Sequence, residues 1–157
     1  MTDTAALIDR FYAAFARLDG ATMAACYAPD AVFEDPAFGE LRGAEIGAMW
    51  QMLCERAKDF RLSYQVLETN EQSATALWEA HYLFSATGRQ VHNRIRARLR
   101  IRDGLIIDHR DRFDFWRWSR QALGPAGWLL GWTPMLKRKV QTQARAGLAA
   151  WQAARDR

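Results

Sequence analysis

The sequence lacks most of the features that mark chains without an ordinary folded core. It has only two cysteines, Cys26 and Cys54, and only four prolines and ten glycines, which excludes disulfide frameworks, collagen-like repeats and low-complexity chains. No apolar run approaches the roughly 20 residues of a membrane-spanning helix. Residues 1–10 lack an apolar stretch behind a basic start, so no secretion signal is predicted. These absences favour a cytoplasmic protein with free thiols and no membrane span.

What is present is the composition of a single folded domain. Half of the 157 residues are apolar, and a chain of this length buries roughly 70% of its unfolded surface without a metal or a disulfide. The net charge of +4 is too small to indicate nucleic acid as a partner. No histidine or cysteine spacing suggests a metal site, and no cofactor is expected. We predict one domain over residues 1–157, with residues 119–157 as a C-terminal helical extension.

The hydrophobic period changes along the chain. Spacings of three and four predict helices at residues 7–18, 22–27 and 43–58, and a last helix that begins at Pro134. A period of two predicts strands at residues 61–69, 73–86, 90–102 and 105–116, after a short strand at 31–34. Helices followed by a meander of antiparallel strands indicate an α+β fold. We expect helices to cover one face of a curved sheet, with the other face open to solvent or to a partner.

The strand at residues 90–102 fixes which side chains face inward. Its outward positions include five arginines, which cannot all face a core. The inward positions are therefore Val91, Asn93, Ile95, Ala97, Leu99 and Ile101.

The turn that follows this strand sets the register of the last one. A three-residue turn at residues 102–104 pairs Ala97 with His109 and Ile95 with Asp111. A two-residue turn would instead place a poorer set of side chains inside: Ile106, Asp108 and Arg110. We therefore predict the three-residue turn.

The preceding hairpin is predicted to turn around residues 88–89. This register pairs Ala80 with Ala97 and Tyr82 with Ile95 on the inner face. On the outer face it forms an acidic–basic–acidic row of Glu79, Arg98 and Asp108.

This inner face predicts a small-molecule site. Ala80 and Ala97 beside His109 leave space, and Asp111 lies about 7 Å along the same strand face. A carboxyl group in an apolar pocket can act as general acid or base, with the histidine as its partner. The alternative is a buried ion pair or hydrogen-bonded pair without chemistry. The residues expected to bind a small apolar molecule are Phe15, Phe33, Trp50, Trp78, Tyr82, Asn93, Ala97 and Phe113.

Asp35 precedes Pro36 at the rim of this site and has two interpretations. Aspartate is a common turn former, and a residue before proline is held extended. The other interpretation is a general base at the rim of the cavity.

Two basic features also have alternative interpretations. The arginine row favours a solvated or homodimer-forming outer sheet face over a nucleic-acid platform, because it lacks interleaved aromatic residues.

The apolar segment at residues 128–132, followed by basic residues at 137–139, fits packing over the open end of the cavity. The alternative is an element that lies on a membrane surface.

Four segments resemble the nuclear transport factor 2-like superfamily, which includes ketosteroid isomerase, limonene epoxide hydrolase and the SnoaL-like polyketide cyclases. They are Tyr-Ala-Pro-Asp-Ala-Val-Phe-Glu-Asp-Pro at 27–36, Leu-Arg-Gly at 41–43, Arg-Asp-Gly-Leu-Ile at 102–106 and His-Arg-Asp-Arg-Phe-Asp at 109–114. The similarity spans roughly residues 5–118. It implies a cone-shaped α+β fold, in which a curved antiparallel sheet is covered on its concave face by the N-terminal helices.

The resemblance also implies acid–base chemistry. Ketosteroid isomerase has its catalytic aspartate in a Glu-Asp-Pro stretch that matches Asp35, while Phe11 and Ala97 stand where its oxyanion-hole residues lie. The SnoaL-like cyclases use a late-strand aspartate as acid and base, a role implied for Asp111. We expect an isomerase, cyclase or hydrolase with Asp35, His109 and Asp111 as catalytic residues. The alternative is a non-catalytic ligand-binding or dimerising module.

Overall fold

The computed structural model describes residues 2–157 and shows six helices and six strands in that range. The helices are α1 (Asp3–Ala16), α2 (Gly20–Ala25), α3 (Ala44–Arg56), α4 (Phe115–Leu123), α5 (Pro125–Leu130) and α6 (Pro134–Arg155). The strands are β1 (Tyr27–Asp35), β2 (Gly39–Arg42), β3 (Arg61–Thr69), β4 (Ser73–Phe84), β5 (Arg89–Arg102) and β6 (Leu105–Arg112). Within the described range, no helix combines the length and the apolar character that a bilayer crossing requires.

The strands form one sheet in the order β2-β1-β6-β5-β4-β3. Neighbouring strands are antiparallel except β1 and β6, which are parallel. This architecture confirms the predicted α+β class. Strand β2 was not predicted, and residues 115–116 begin helix α4 instead of ending a strand. Asp114 starts this helix because its side chain accepts a hydrogen bond from the backbone N–H of Arg117 at 3.0 Å.

The predicted three-residue turn between β5 and β6 is wrong. The turn has two residues, Asp103 and Gly104, and both have the positive φ that a tight hairpin needs (53° and 75°). A β-bulge then shifts the register, so that Leu99 pairs with His109 and Ala97 pairs with Asp111. Because of the bulge, His109 and Asp111 still face inward and are buried, which confirms their predicted orientation.

The predicted register of the β4–β5 hairpin is wrong by four residues. The loop between the strands covers residues 85–88, so Ala80 pairs with Asn93 rather than with Ala97. On the outer face, Glu79 lies opposite Arg94, whose Nε atom is 2.8 Å from Glu79 Oε1. The predicted row of Glu79, Arg98 and Asp108 therefore does not form, because a loop of four residues displaces the whole strand.

Helices α1 and α3 cover the inner face of the sheet with an aromatic core. Phe11, Phe15 and Trp50 are buried there, and burying each such side chain stabilises the fold by about 1.5–3 kcal/mol. A second, smaller cluster is formed by Val91, Phe115, Trp118 and Ala122. The inward face of β5 runs from this second cluster at Val91, past Asn93, to the main core at Ala97.

Helix α6 begins at Pro134 as predicted and packs along the rim of the sheet. Gln141 Nε2 donates to the Pro36 carbonyl at 3.1 Å, and Arg145 Nε donates to the Phe38 carbonyl at 2.7 Å. Its last turns pack on α3, where Trp151 is buried. The helix thus reaches the connection that follows β1.

The apolar segment at residues 128–132 does not pack over the cavity, contrary to the prediction. Trp128, Leu129 and Trp132 are 57%, 72% and 70% exposed. The reason is that helix α4 already occupies the end of the sheet, with Phe115 and Trp118 buried against it.

Candidate active site

Four side chains form one continuous hydrogen-bonded chain inside the molecule. Trp50 Nε1 donates to the Tyr27 hydroxyl at 2.9 Å, and that hydroxyl is 2.7 Å from His109 Nδ1. The other ring nitrogen, His109 Nε2, is 2.9 Å from Asp111 Oδ1. We call Trp50, Tyr27, His109 and Asp111 the buried relay.

The tautomer of the imidazole sets which groups of this relay donate. The indole of Trp50 can only donate, so the Tyr27 oxygen accepts from it. The Tyr27 hydroxyl either donates to His109 Nδ1 or accepts from it, and His109 Nε2 donates to Asp111 when that nitrogen carries a proton. Both ring nitrogens of His109 and one oxygen of Asp111 therefore have protein partners.

Three structural elements bring the relay together. The parallel pairing of β1 with β6 places Phe33 opposite His109, and helix α3 brings Trp50 over the same ring. Phe11 and Phe33 meet the imidazole edge-on, with centroid distances of 5.7 and 5.1 Å. His109 is fully buried, so the relay is sealed from bulk water by aromatic side chains.

Asp35 lies at the end of β1 and is only half-buried. Its Oδ1 atom accepts from the backbone N–H groups of Ala37 (2.9 Å) and Phe38 (2.6 Å), which is the turn predicted for an aspartate before proline. Burial raises the pKa of Asp35 to about 7, and the negative charge of Asp111 adds to the increase. The two backbone hydrogen bonds and His109 oppose it. Asp35 is therefore close enough to both relay residues for their charges to interact.

Tyr82 is hydrogen-bonded to helix α4 and feels the charge of Asp35. Its hydroxyl accepts a hydrogen bond from Trp118 Nε1 at 2.9 Å. Burial raises the pKa of Tyr82 to about 12, and the charge of Asp35 adds to this increase. The first helix of the C-terminal region thus supports a side chain that lies near Asp35.

Two buried donors near the relay have no hydrogen-bond partner among the described residues. They are the Tyr12 hydroxyl and the indole N–H of Trp78, whose rings lie 6.4 Å apart. Burial raises the pKa of Tyr12 well above its usual value, and the charge of Asp111 adds to the effect. Unpartnered buried donors are costly, which makes both groups candidates for contact with a bound molecule.

The structure brings the three predicted catalytic residues, Asp35, His109 and Asp111, into one region. The predicted binding residues divide into two groups. Phe15, Phe33, Trp50, Trp78 and Ala97 belong to the main core or pack against it, whereas Tyr82, Asn93 and Phe113 lie toward the second cluster.

The aromatic side chains of the first group pack against one another in the main core rather than line an open space. Phe15 packs against Trp50 at 5.1 Å and against Trp78 at 5.4 Å between ring centroids. Two surface cavities are present, one of about 600 Å³ beside Trp128 and one of about 520 Å³ beside Trp151, and the lining of the second includes Tyr27 of the relay.

Sequence reasoning missed Tyr12, Tyr27 and Trp118. Tyr12 lies four residues after Ile8 on the buried face of α1, a spacing that could have indicated it. Tyr27 was assigned to the end of a helix, and its contact with His109 depends on the parallel β1–β6 pairing, which leaves no local signal.

Among the described residues, no group of three or more acidic, histidine or cysteine side chains could hold a metal ion.

Solved structures share this fold at low sequence identity. A proposed polyketide cyclase from Pseudomonas putida is 23% identical, with 77% of this chain and 98% of that chain covered and a TM-score of 0.67. A proposed polyketide cyclase from Xanthomonas campestris pv. campestris is 19% identical, with 76% and 96% covered and a TM-score of 0.64. A protein with a ketosteroid isomerase-like fold from Catenulispora acidiphila, in complex with trimethylamine, is 17% identical, with 83% and 99% covered and a TM-score of 0.66.

These likenesses confirm the predicted fold. The chain has no significant match among curated proteins. Residues 8–109 match the SnoaL-like domain, and this segment holds Asp35 and the relay residues up to His109. Since the match covers well over half of the chain, the protein belongs to the SnoaL-like domain family.

Proposed function

We propose that this protein is an enzyme that moves a proton on a small, mostly apolar substrate, with Asp35 as general acid and base. The observation that carries this proposal is the position of Asp35, which ends β1 beside the relay strand β6 and keeps partial solvent exposure. Burial and the charge of Asp111 raise its pKa to about 7. A group that titrates near neutral pH is present in both protonation states and can take up and release a proton in one cycle. Among the three predicted catalytic residues, Asp35 alone keeps solvent exposure.

His109 and Asp111 have a supporting role in this proposal. Both are buried, and His109 hydrogen-bonds to Tyr27 and to Asp111. The charge of Asp111 makes Asp35 a stronger base. The relay fixes that charge in place, so we assign His109 and Asp111 as positioning residues rather than proton carriers.

The substrate would lie between the main core and the second cluster, against Asn93, Tyr82 and Phe113. Its apolar part would contact the aromatic rings. The structural neighbours described as proposed polyketide cyclases favour a carbonyl compound as the substrate of this protein. A C–H bond next to a carbonyl group is acidic enough for a carboxylate base to remove its proton. Asp35 would remove such a proton and return it at another carbon or at oxygen.

The C-terminal helices support this location. We propose that residues 119–157 are an extension that narrows the approach to Asp35. Gln141 and Arg145 bind the carbonyl groups of Pro36 and Phe38, directly after Asp35. The alignments cover the solved neighbours almost completely but leave about a quarter of this chain uncovered. Residues 119–157 make up a similar share of the chain.

Exchange of deuterium into ketones tests the proposed chemistry without a known substrate. Wild-type protein in heavy water is expected to exchange the C–H groups next to the carbonyl in a panel of apolar ketones, monitored by NMR. Asp35→Asn should slow this exchange by about 10²–10⁴-fold. The matched control is Asp30→Asn, an exposed aspartate on the same strand, which should keep the wild-type rate. Equal rates for the two variants would refute Asp35 as the base.

A second candidate function is ligand binding without chemistry. It is favoured by one observation: His109 and Asp111 are already partnered by protein groups and buried. Native mass spectrometry of protein purified from its own cells would show a bound small apolar molecule under either proposal. If the molecule is recovered unchanged after incubation, and Asp35→Asn alters only its affinity, the binding function replaces the enzymatic one.

A further inference from the structure

Among residues 2–157, the most exposed large apolar side chains lie at the junction of α5 and α6. Five side chains there are exposed by 43–72% of their surface, and we call them the apolar corner: Trp128, Leu129, Leu130, Trp132 and Met135. Elsewhere, large exposed apolar side chains such as Leu67 and Leu77 reach only 37% and 38%. A contiguous exposed apolar group of this kind marks an interaction site.

The indole N–H of Trp132 and the hydroxyl of the adjacent Thr133 are hydrogen-bonded to the backbone of this corner. Trp132 Nε1 donates to the Leu129 carbonyl at 3.0 Å, and the Thr133 hydroxyl donates to the Leu130 carbonyl at 2.6 Å. Trp116 Nε1 donates to the Trp128 carbonyl at 3.4 Å. Because its N–H group has a partner, the Trp132 ring can leave water without stranding a donor.

The corner rests on a rigid base. Gly127 and Gly131, which lie just before and within the sequence of the apolar corner, pack directly against Ser119 of α4. A Cβ atom at either glycine would collide with the serine. The guanidinium of Arg120 lies over the rings of Trp116 and Trp128, at 4.3 and 4.6 Å from their centroids. The backbone of α5 and the Trp128 ring are therefore held in place, which lowers the entropy cost of binding through them.

The charge around the corner has one sign. Residues 115–155 contain seven lysines and arginines and no aspartate or glutamate, whereas the rest of the chain has a net charge of −3. Lys137, Arg138 and Lys139 follow the corner directly and are exposed. Basic side chains beside the apolar corner complement a surface whose outer groups are anionic and whose interior is apolar.

We propose that the apolar corner docks this protein onto an anionic phospholipid bilayer as a peripheral, reversible contact. Trp128, Leu129 and Trp132 would enter the boundary between headgroups and acyl chains. The basic side chains of residues 137–139 would face the phosphates. Exposed leucine and methionine give no advantage in binding a nucleic acid, and a vesicle that contains no protein distinguishes a bilayer from an acidic protein partner.

Vesicle sedimentation tests this proposal with the full chain. The probe is a vesicle of phosphatidylcholine with an equal part of phosphatidylglycerol, compared with phosphatidylcholine alone. Wild-type protein should sediment with the anionic vesicles, with weaker binding at high salt because surface charges are screened. The double variant Leu129→Ser/Trp132→Ser should bind at least about tenfold more weakly. Its matched control is Leu67→Ser/Leu77→Ser on the sheet, which should bind like the wild type.

Charge variants keep the test valid if the apolar variant folds poorly. Lys137→Glu/Lys139→Glu changes exposed side chains only and should weaken binding about tenfold or more, whereas Arg56→Glu/Lys58→Glu on another face should not. Equal sedimentation of wild type with both vesicle types, or with neither, would overturn the proposal. So would a loss of self-association in Leu129→Ser/Trp132→Ser without any vesicle binding by wild type, since the corner would then be a contact between copies.

Discussion

Asp35 is the residue whose protonation should dominate the pH dependence of stability near neutrality. Its pKa is raised from 3.8 to about 7 in the folded protein, chiefly by burial. Between these values the folded state holds a proton that the unfolded state has lost. The free energy of unfolding should therefore fall as pH rises from about 4 to about 7 and level off above.

Asp35→Asn should flatten this part of the pH profile. The asparagine Oδ1 can still accept from the N–H groups of Ala37 and Phe38, so the turn is kept while the buried charge is removed. Urea unfolding at several pH values measures the slope. Asp59→Asn, at an exposed position, is the control and should keep the wild-type slope. A profile unchanged by Asp35→Asn would show that Asp35 titrates at an ordinary pKa.

Two buried tyrosines are predicted to respond in opposite ways to loss of their hydroxyl groups. Tyr27→Phe removes the shared partner of Trp50 and His109, and leaving such groups unpartnered costs about 1–3 kcal/mol of unfolding free energy. Tyr12→Phe removes a buried hydroxyl that has no partner among the described residues, so it should cost nothing or stabilise the fold. Chemical denaturation compares the two. Equal losses would mean that the relay does not contribute through its hydrogen bonds.

The elements show which parts of the fold the sequence can and cannot predict. The alternation in β5 predicts the inward orientation of Asn93 and Ala97, because side-chain period is a local property of a strand. Pairing between strands depends on the loops. The predicted turn before β6 was wrong, yet His109 and Asp111 still face inward because a bulge offsets the shorter turn. The correct orientation therefore followed from an incorrect register.

Helices α4 and α5 were the least predictable elements. Phe115 and Trp116 continue an alternating pattern and were assigned to a strand, but Asp114 caps a helix there. Their packing depends on contacts between Gly127 and Ser119, which composition does not reveal.

Glycine substitutions test how α5 is held on α4. Gly127→Ala should destabilise the protein by about 1–3 kcal/mol, because the added methyl group would collide with the backbone of Ser119. Gly147→Ala is the matched control in α6. Its Cβ would meet nothing within 4 Å, so it should stabilise the helix by about 0.5–1 kcal/mol. Thermal and urea unfolding measure both. If Gly127→Ala is as stable as the wild type, α5 is not packed as described.

At the scale of the whole molecule, the site depends on contacts between distant segments. Asp35 and His109 lie on neighbouring parallel strands that are far apart in sequence, and Tyr82 meets Trp118 across the end of the sheet. The resemblance in residues 27–36 and 109–114 indicates that these segments belong to one site. The resemblance does not indicate the buried relay, because Trp50 belongs to helix α3 and Tyr27 is the first residue of β1, outside the segment where His109 and Asp111 lie.

The outer face of the sheet is where we expect a second copy of the chain to bind, and its charges determine how that dimer should respond to salt. Arg94 and Arg102 have carboxylate partners in Glu79 and Asp30. Arg98, in contrast, lies opposite Arg110 in the register. Two copies joined through this face would bring arginines together, and like charges repel unless anions screen them.

The dimer fraction should therefore rise with ionic strength, which sedimentation velocity measures directly. Arg98→Glu should raise the dimer fraction at low salt, because it places a carboxylate among the facing arginines. Arg56→Glu makes the same charge change on α3, at an exposed position away from this face, and should leave the dimer fraction unchanged. A dimer that dissociates as salt is added, or that responds equally to both substitutions, would mean that the copies meet through another surface.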